Sequence, residues 1–434
     1  MYPNLYYAFK DLFGVNWNGL RFVNSFGFFV AIAFLAAAYI LTLELKRKER
    51  AGLFHGKDVK IIVGKQAEPG ELLFNFILGF LLGYKIIGLF ISKSPLAEDP
   101  QTFIFSGEGS WVAGIGLGLL SAGAKWWEKN RQKLPNPEER TIRIWPHDRV
   151  GDLVIYAALF GFLGAKIFHN LENWKEFIES PIEALLSFSG LTFYGGLIFA
   201  AVAIYYYCRK HKIGFIHLCD AIAPALLLAY AVGRIGCQVA GDGDWGILNS
   251  AYVTNAQSKV ELADKEQFNA TLAANKNFYL STFKTYQVDS LSQIPHKSVK
   301  APSWLPKWTV AYHYPHNVVN EGKRITDCEG PQYCNELPVP VFPTPFYETL
   351  VCGLFFILLW SFRKKLKIPG TMFAVYLVVN GIERFLVEKI RVNTKLHFSD
   401  GFSPTQAEII STLLVIGGLT MFFILKKRHA ALKD

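Results

Sequence analysis

The chain has 434 residues, of which 51% are apolar, 15% aromatic and only 18% charged. A soluble globular protein carries about 25% charged residues, so a string of ordinary soluble domains is excluded, as are a disordered chain, a coiled coil and a disulfide scaffold. With 45 Lys and Arg against 35 Asp and Glu the net charge is +10, and part of the chain must be dissolved in lipid.

Apolar runs of about 17–25 residues cross a bilayer as helices. Nine occur in chain order, at 22–44, 71–91, 109–124, 151–171, 186–207, 216–236, 345–361, 370–389 and 404–425. The third is short and Gly-rich, with Gly114, Gly116 and Gly118. The first is too long for a signal-peptide core and lacks a preceding basic region, so it is expected to be retained. Basic clusters follow every second run. They are Lys46-Arg47-Lys48, then Lys125 to Lys133, then Arg209-Lys210 with Lys212, then Arg363-Lys364-Lys365, and last Lys426-Lys427-Arg428. Cytoplasmic loops are the basic ones, so the N-terminus is expected outside and the C-terminus in the cytoplasm.

The expected fold is an all-α polytopic membrane protein, a helical bundle of about nine spans with a small extracytoplasmic domain. Its segments are 1–45 (N-terminal segment and span one), 46–145 (a hairpin of spans two and three with cytoplasmic loops), 146–246 (spans four to six), 247–340 (the extracytoplasmic insert) and 341–434 (spans seven to nine and a cytoplasmic tail). The insert holds 9 Lys and Arg against 8 Asp and Glu. Nearly all the net charge therefore lies elsewhere, where it sets topology and does not point to nucleic acid. Cys328 and Cys334 lie in the insert and could pair in an oxidising compartment.

An internal repeat is visible. Gly70-Glu71-Leu72 and Leu82-Gly83-Tyr84-Lys85-Ile86 recur 81 residues later as Gly151-Asp152-Leu153 and Leu163-Gly164-Ala165-Lys166-Ile167. The same offset puts Gly114 on Gly195, as a duplicated two-helix hairpin would.

Ionisable residues inside spans are costly and are functional candidates by default. Lys166, Arg234, Arg384, Glu388, Tyr347, Glu348, Gln406 and Tyr194 converge on the outer half of the expected membrane. Plainer roles exist for several. Arg384 and Glu388 are spaced to pair with each other, Lys166 could snorkel, and the two tyrosines could be interfacial anchors. Asp152 and Asp220, near the cytoplasmic ends, are expected to cap helices. Arg234 is harder to dismiss, because it sits in Gly233-Arg234-Ile235-Gly236, followed by Gly241-Asp242-Gly243-Asp244-Trp245-Gly246. Irregular backbone at membrane depth normally lines a cavity. Arginines bind phosphate through paired hydrogen bonds, so the residues point to a membrane site for a lipid phosphate.

These motifs resemble the prolipoprotein diacylglyceryl transferase family. The resemblance rests on Leu191-Thr192-Phe193-Tyr194-Gly195-Gly196, Asp220-Ala221-Ile222-Ala223-Pro224, Gly233-Arg234-Ile235-Gly236, Pro345-Phe346-Tyr347-Glu348, Glu383-Arg384-Phe385-Leu386-Val387-Glu388 and Gln406, in family order. It covers span one, 151–246 and 343–425, and implies a seven-span core to which spans two and three are added. It implies transfer of the diacylglyceryl group of phosphatidylglycerol to the lipobox cysteine of prolipoproteins, in the bacterial inner membrane, with the site toward the outer leaflet. A thioether forms and glycerol phosphate leaves, with no metal or soluble cofactor. The implied partners are phosphatidylglycerol, prolipoprotein signal peptides and membrane lipid.

By the same resemblance Arg234 binds the lipid and stabilises its leaving group, Arg384 is the second essential arginine, and Glu388 orients it. Tyr347 and Glu348 match the family's Tyr-Glu pair. Gly233, Gly236, Gly195, Gly196, Lys166 and Gln406 complete the expected substrate contacts. Tyr194 stands where the family often has the His assigned to thiol activation, and tyrosine is a poor base at pH 7. Asp242 and Asp244 are the alternative proton acceptors, and either could replace the family's Glu in this loop. Phe342, Phe26 and Asn380 are further departures. A non-catalytic lipid-binding or lipoprotein-assembly protein is the competing reading, and a transporter built on the repeat is a third.

Overall fold

The computed structural model describes residues 1–92, 103–104, 106–186, 192–286, 288–326, 328, 332–394, 396 and 403–431. Leu191 of the first motif lies outside the described residues. The chain is mostly helical. In chain order the principal helices are α1 (Leu5–Phe13), α2 (Ser25–Arg50), α3 (Pro69–Leu82, continued by a π turn at Gly83–Ile87), α4 (Trp111–Arg131), α5 (Val150–Glu172), α6 (Phe193–His211), α7 (Phe215–Ala240), α8 (Lys265–Ala274), α9 (Lys276–Phe283), α10 (Thr344–Phe362), α11 (Thr371–Glu388) and α12 (Gln406–Ala431).

Among the described residues six helices are long and apolar enough to cross a membrane: Ser25–Arg50, Pro69–Ile91, Pro146–Glu172, Phe215–Ala240, Thr344–Phe362 and Gln406–Ala431. Most of their surface is not covered by protein, as lipid contact requires. The protein is therefore a multi-pass membrane protein of the helical kind. The remaining three apolar runs fall on α4, α6 and α11, which carry more charge in their last turns or along their length.

Two compact units divide the chain, one formed by Met1–Leu41 with Ile216–Asp434 and the other by Thr42–Phe215. The second unit contains two antiparallel helix hairpins, α3 with α4 and α5 with α6, and a two-stranded sheet, β1 (Lys57–Val63) against β2 (Glu138–Ile144). The hairpins cross at equivalent glycines. A side chain on Gly83 would strike the Ala113 carbonyl, and one on Gly195 would come within 2.5 Å of the Gly164 carbonyl oxygen. Gly83 and Gly164 are 81 residues apart. So are Tyr84 and Ala165, whose carbonyls accept the equivalent cross-hairpin bonds from Ser110 (2.9 Å) and Thr192 (3.1 Å). Small residues permit this close approach of helices in lipid. Lys85, deep in an apolar run, donates to the carbonyls of Ser106 (2.5 Å) and Glu108 (2.7 Å). Asp152 does not cap its own helix: it lies in the first turn of α5 and accepts the Tyr207 hydroxyl of α6.

In the first unit α7, α10 and α11 share a core of Leu227, Ala231, Cys352, Leu359 and Met372. Asp220, near the start of α7, is a helix cap as expected, on a helix other than its own. Its carboxylate accepts the backbone N–H of Gly370 (2.8 Å) and Phe373 (3.0 Å) and so caps α11. Residues 241–343 fold over one end of these helices. Their core is Phe268, Leu272, Tyr279, Phe283, Ile294, Tyr314, Val339 and Val341. A hairpin of β3 (Tyr252–Thr254) and β4 (Val260–Leu262) leads into α8, whose start is fixed by reciprocal bonds between Asp264 and Gln267.

Turn-rich chain can be ordered only if buried polar backbone is satisfied. Two fully buried asparagines do this. Asn249 donates to Val299 O and Val310 O, and Asn317 to Tyr314 O, Glu321 O and Asn335 O. Cys328 and Cys334 form a disulfide.

Candidate active site

Arg234 lies in the sixth turn of α7, and the chain leaves that helix through Gly241 and Gly243. These glycines have φ of +65° and +92°, which L side chains rarely adopt. The turn carries Asp244 back toward Arg234, and the two form an ion pair. The next residues are fastened on both sides. Gly246 N–H donates to Phe342 O and Ile247 N–H to Ile390 O, each at 2.9 Å. A side chain on Gly246 would meet Ile390 O at 2.6 Å. This short pairing brings Arg391, just beyond α11, against the loop.

The result is a compact ionic cluster. Glu348, in the first turns of α10, is fully buried and pairs with Arg234. It also accepts the Tyr230 hydroxyl at 3.0 Å. Arg391 reaches the same carboxylate at 3.5 Å and Arg384 at 3.7 Å. Arg391 also binds Asp244 at 3.2 Å. Arg384 pairs with Glu388 one helical turn on, at 3.0 Å. Glu388 is held in turn by Asn393 (2.7 Å) and the Thr405 hydroxyl (2.6 Å). Three guanidiniums thus balance three carboxylates, Asp244, Glu348 and Glu388. Buried charges persist only when so paired.

The carboxylates are not equivalent. Glu348 is sealed, whereas the Asp244 side chain is 26% exposed. Asp242 stands behind it, its carboxylate accepting the Asp244 N–H at 3.2 Å. Two cavities of about 490 and 420 Å³ flank the Arg391–Asn393 segment, and Arg391 and Tyr286 line both. The smaller reaches Asp244, and the larger reaches Glu388. Burial, and then the neighbouring charge of Arg234, pull the Arg391 guanidinium below its ordinary pKa.

The sequence-predicted residues divide clearly. Arg234, Arg384, Glu388, Glu348 and Asp244 meet in the cluster. Tyr347 instead donates from its hydroxyl to Thr309 O at 2.6 Å, tying α10 to the insert. Gly233 faces open space, and Gly236 packs against Phe26 and Phe29 of α2. Gln406 is exposed at the start of α12, where Thr405 provides the contact to Glu388. Lys166, Tyr194, Gly195 and Gly196 belong to the other unit. There Lys166 is buried in α5, Tyr194 is half-buried in α6, and the two glycines form the α5–α6 crossing.

Arg391 and Tyr230 stand outside the sequence motifs, and Glu383 stands in one without an assigned role. Arg391 lies seven residues after Arg384 on the continuing helical face. Tyr230 lies one turn before Arg234. Glu383 is 2% exposed, and its carboxylate accepts no hydrogen bond among the described residues. The 4-then-3 spacing of Arg384, Glu388 and Arg391 is the signal that could have found the first.

A family model for prolipoprotein diacylglyceryl transferase matches residues 112–424. A phosphatidylglycerol–prolipoprotein diacylglyceryl transferase of Leptospira interrogans is 24% identical over 98% of this chain and 94% of its own length. One from Clostridium perfringens, the second such enzyme of that organism, is 24% identical over 72% of this chain and 89% of its own. One from Staphylococcus haemolyticus is 22% identical over 63% and 72%. The Leptospira match runs through the first hairpin and the insert, regions that the motifs alone left uncovered. The chain belongs to the prolipoprotein diacylglyceryl transferase family, whose members are transferases.

Proposed function

We propose that this protein transfers the diacylglyceryl group of phosphatidylglycerol to the lipobox cysteine thiol of prolipoproteins, and that the Arg234–Arg384–Arg391 cluster is where it does so. The observation that carries the assignment is the sharing of Glu348 by three arginines, one of which, Arg391, lines two cavities. Arg234 and Arg391 hold one exposed counter-ion, Asp244, and one sealed counter-ion, Glu348. An incoming phosphate competes with the exposed one. Glu348 keeps the guanidiniums aimed while Asp244 yields.

The chemistry then balances. The thiol sulfur attacks the glyceryl carbon that bears the phosphate ester. A carbon–sulfur bond forms, the carbon–oxygen bond breaks, and its electron pair leaves on the oxygen of glycerol phosphate. Fixed arginine charges stabilise the growing negative charge most strongly where water is excluded. The thiol reacts as thiolate, and Asp244, released from Arg234 by the phosphate, accepts the thiol proton. Arg384 is held by Glu388 and completes the positive wall. Lys166, Gly195, Gly196 and Gln406 remain proposed substrate contacts, and Tyr194 a proposed catalytic residue.

The reading carries a topology with it. Nine spans place the basic loops on one side, with the N-terminus outside and the cluster toward the outer leaflet of the bacterial inner membrane. The paired glycines of the two hairpins support a duplication that added α3 and α4 to a seven-span core. Purified protein given phosphatidylglycerol and a lipobox peptide should yield the thioether and glycerol phosphate. A protein that binds the lipid and forms no product would instead be a lipoprotein-assembly factor.

A further inference from the structure

We propose that residues 297–308 of the insert rest on the membrane surface. Trp304 and Trp308 seat at the boundary of headgroups and acyl chains, and Lys297, Lys300 and Lys307 meet the phosphates of anionic phospholipid. Trp304 is 78% exposed, the most exposed large apolar side chain of the insert, and Trp308 is 42% exposed. Leaving two indoles in water forfeits the burial that usually justifies them. The three lysines are exposed as well, and none forms an ion pair among the described residues.

The level of this segment is fixed by the helix it touches. Trp308 packs edge-on against Phe346 with ring centroids 4.9 Å apart, and Tyr347 donates to Thr309 O at 2.6 Å. Phe346 and Tyr347 are in the first turn of α10, an apolar helix long enough to span. The segment is therefore held where a membrane span begins, which is the depth at which tryptophan is enriched in membrane proteins. Turns at Pro302–Leu305 and Pro306–Thr309 hold the chain there.

A second piece of chain marks the same end. The segment before α2 pairs with the end of α7 through Tyr2 N–H and Val239 O, and Ser25 N–H donates to Pro3 O. The helix α1 in this segment exposes Phe9, Leu12 and Phe13, spaced as one apolar face. Two separate stretches thus turn apolar surface outward at the end where spans start. Lysines beside tryptophans complement an anionic surface, whereas a protein groove would leave them opposite unknown charge.

The test uses the full chain in nanodiscs of phosphatidylcholine with phosphatidylglycerol, carrying an environment-sensitive fluorophore at Ser303→Cys. Signal from the unsubstituted protein is subtracted to correct for native thiols. The label should be quenched by nitroxide-bearing lipid and shielded from aqueous iodide. Adding W304S and W308S should abolish the lipid quenching, and K297S, K300S and K307S should make it independent of phosphatidylglycerol content. Quenching by iodide without quenching by lipid would overturn the proposal. Shielding from both would also overturn it, since the segment would then be covered by protein.

Discussion

Arg391 donates to Asp244 at 3.2 Å across 147 residues of chain, and Asp244 simultaneously pairs with Arg234. A single partly exposed carboxylate thereby occupies two guanidiniums, and it lines a cavity together with one of them, Arg391. If phosphate displaces it and the freed carboxylate takes the thiol proton, binding and proton transfer are coupled through one side chain.

Asp244→Asn separates the two roles. Losing the competing charge should lower KM for phosphatidylglycerol. Losing the base should lower kcat by ~10²-fold or more, the usual contribution of a positioned proton acceptor. Steady-state thioether formation at varied lipid checks both. An unchanged kcat would remove Asp244 from the proton path and return Tyr194 and Asp242 to consideration.

Glu348 is the sealed partner, and its loss should act on stability as well as rate. Glu348→Ala leaves arginines buried without their counter-ion, which typically costs ~3–5 kcal/mol. Replacing the pair together, as Arg234→Met with Glu348→Leu, should recover most of that stability while remaining inactive. Thermal unfolding in detergent beside turnover measures both. A single variant as stable as the parent would show that Glu348 does not hold the cluster.

Much of this site was legible in the sequence, for a physical reason. A charge inside an apolar run is expensive, so Arg234, Arg384, Glu348 and Glu388 stood out before any contact was known. Arg391 did not, because it lies just past the end of its run and looks like an ordinary loop charge. That Asp244 pairs with Arg234 could not be read either, since it depends on the left-handed turns at Gly241 and Gly243. Asp220 was legible as a helix cap, but not which helix it caps, because capping needs only a nearby N-terminus, whichever helix provides it. The hairpin repeat was legible through its 81-residue offset, and its crossing glycines supply the cause.

Those crossing glycines make a contrast with Gly233. A side chain at Gly195 would come within 2.5 Å of the Gly164 carbonyl, whereas nothing lies within 4 Å of one at Gly233. Gly195→Val should therefore destabilise the protein by ~1–3 kcal/mol through overpacking. Gly233→Ala should leave stability unchanged or raised. Any loss of turnover in Gly233→Ala would then report on lipid contact.

The insert should respond to acid through His313. Burial, with the nearby N-terminal ammonium and Lys323, pushes this imidazole down to about 4, and Glu336 at 3.7 Å does not reverse the effect. Unfolded, the same group titrates near pH ~6.5. Between these values the unfolded state binds more protons, so its stabilising contribution is complete above pH ~6.5 and is lost as pH falls toward about 4. Hydrogen exchange in residues 248–341 should accelerate across that window, and His313→Phe should flatten the response. An equal response in the variant would assign the acid sensitivity elsewhere.

The most direct measurement is turnover by purified Arg391→Ala and Arg234→Ala proteins on phosphatidylglycerol and a lipobox peptide, with thioether product followed by mass. Each variant should lose ~10²-fold or more in kcat, as removal of a transition-state charge partner does. Normal turnover by either variant would contradict the placement of the leaving phosphate between these two arginines.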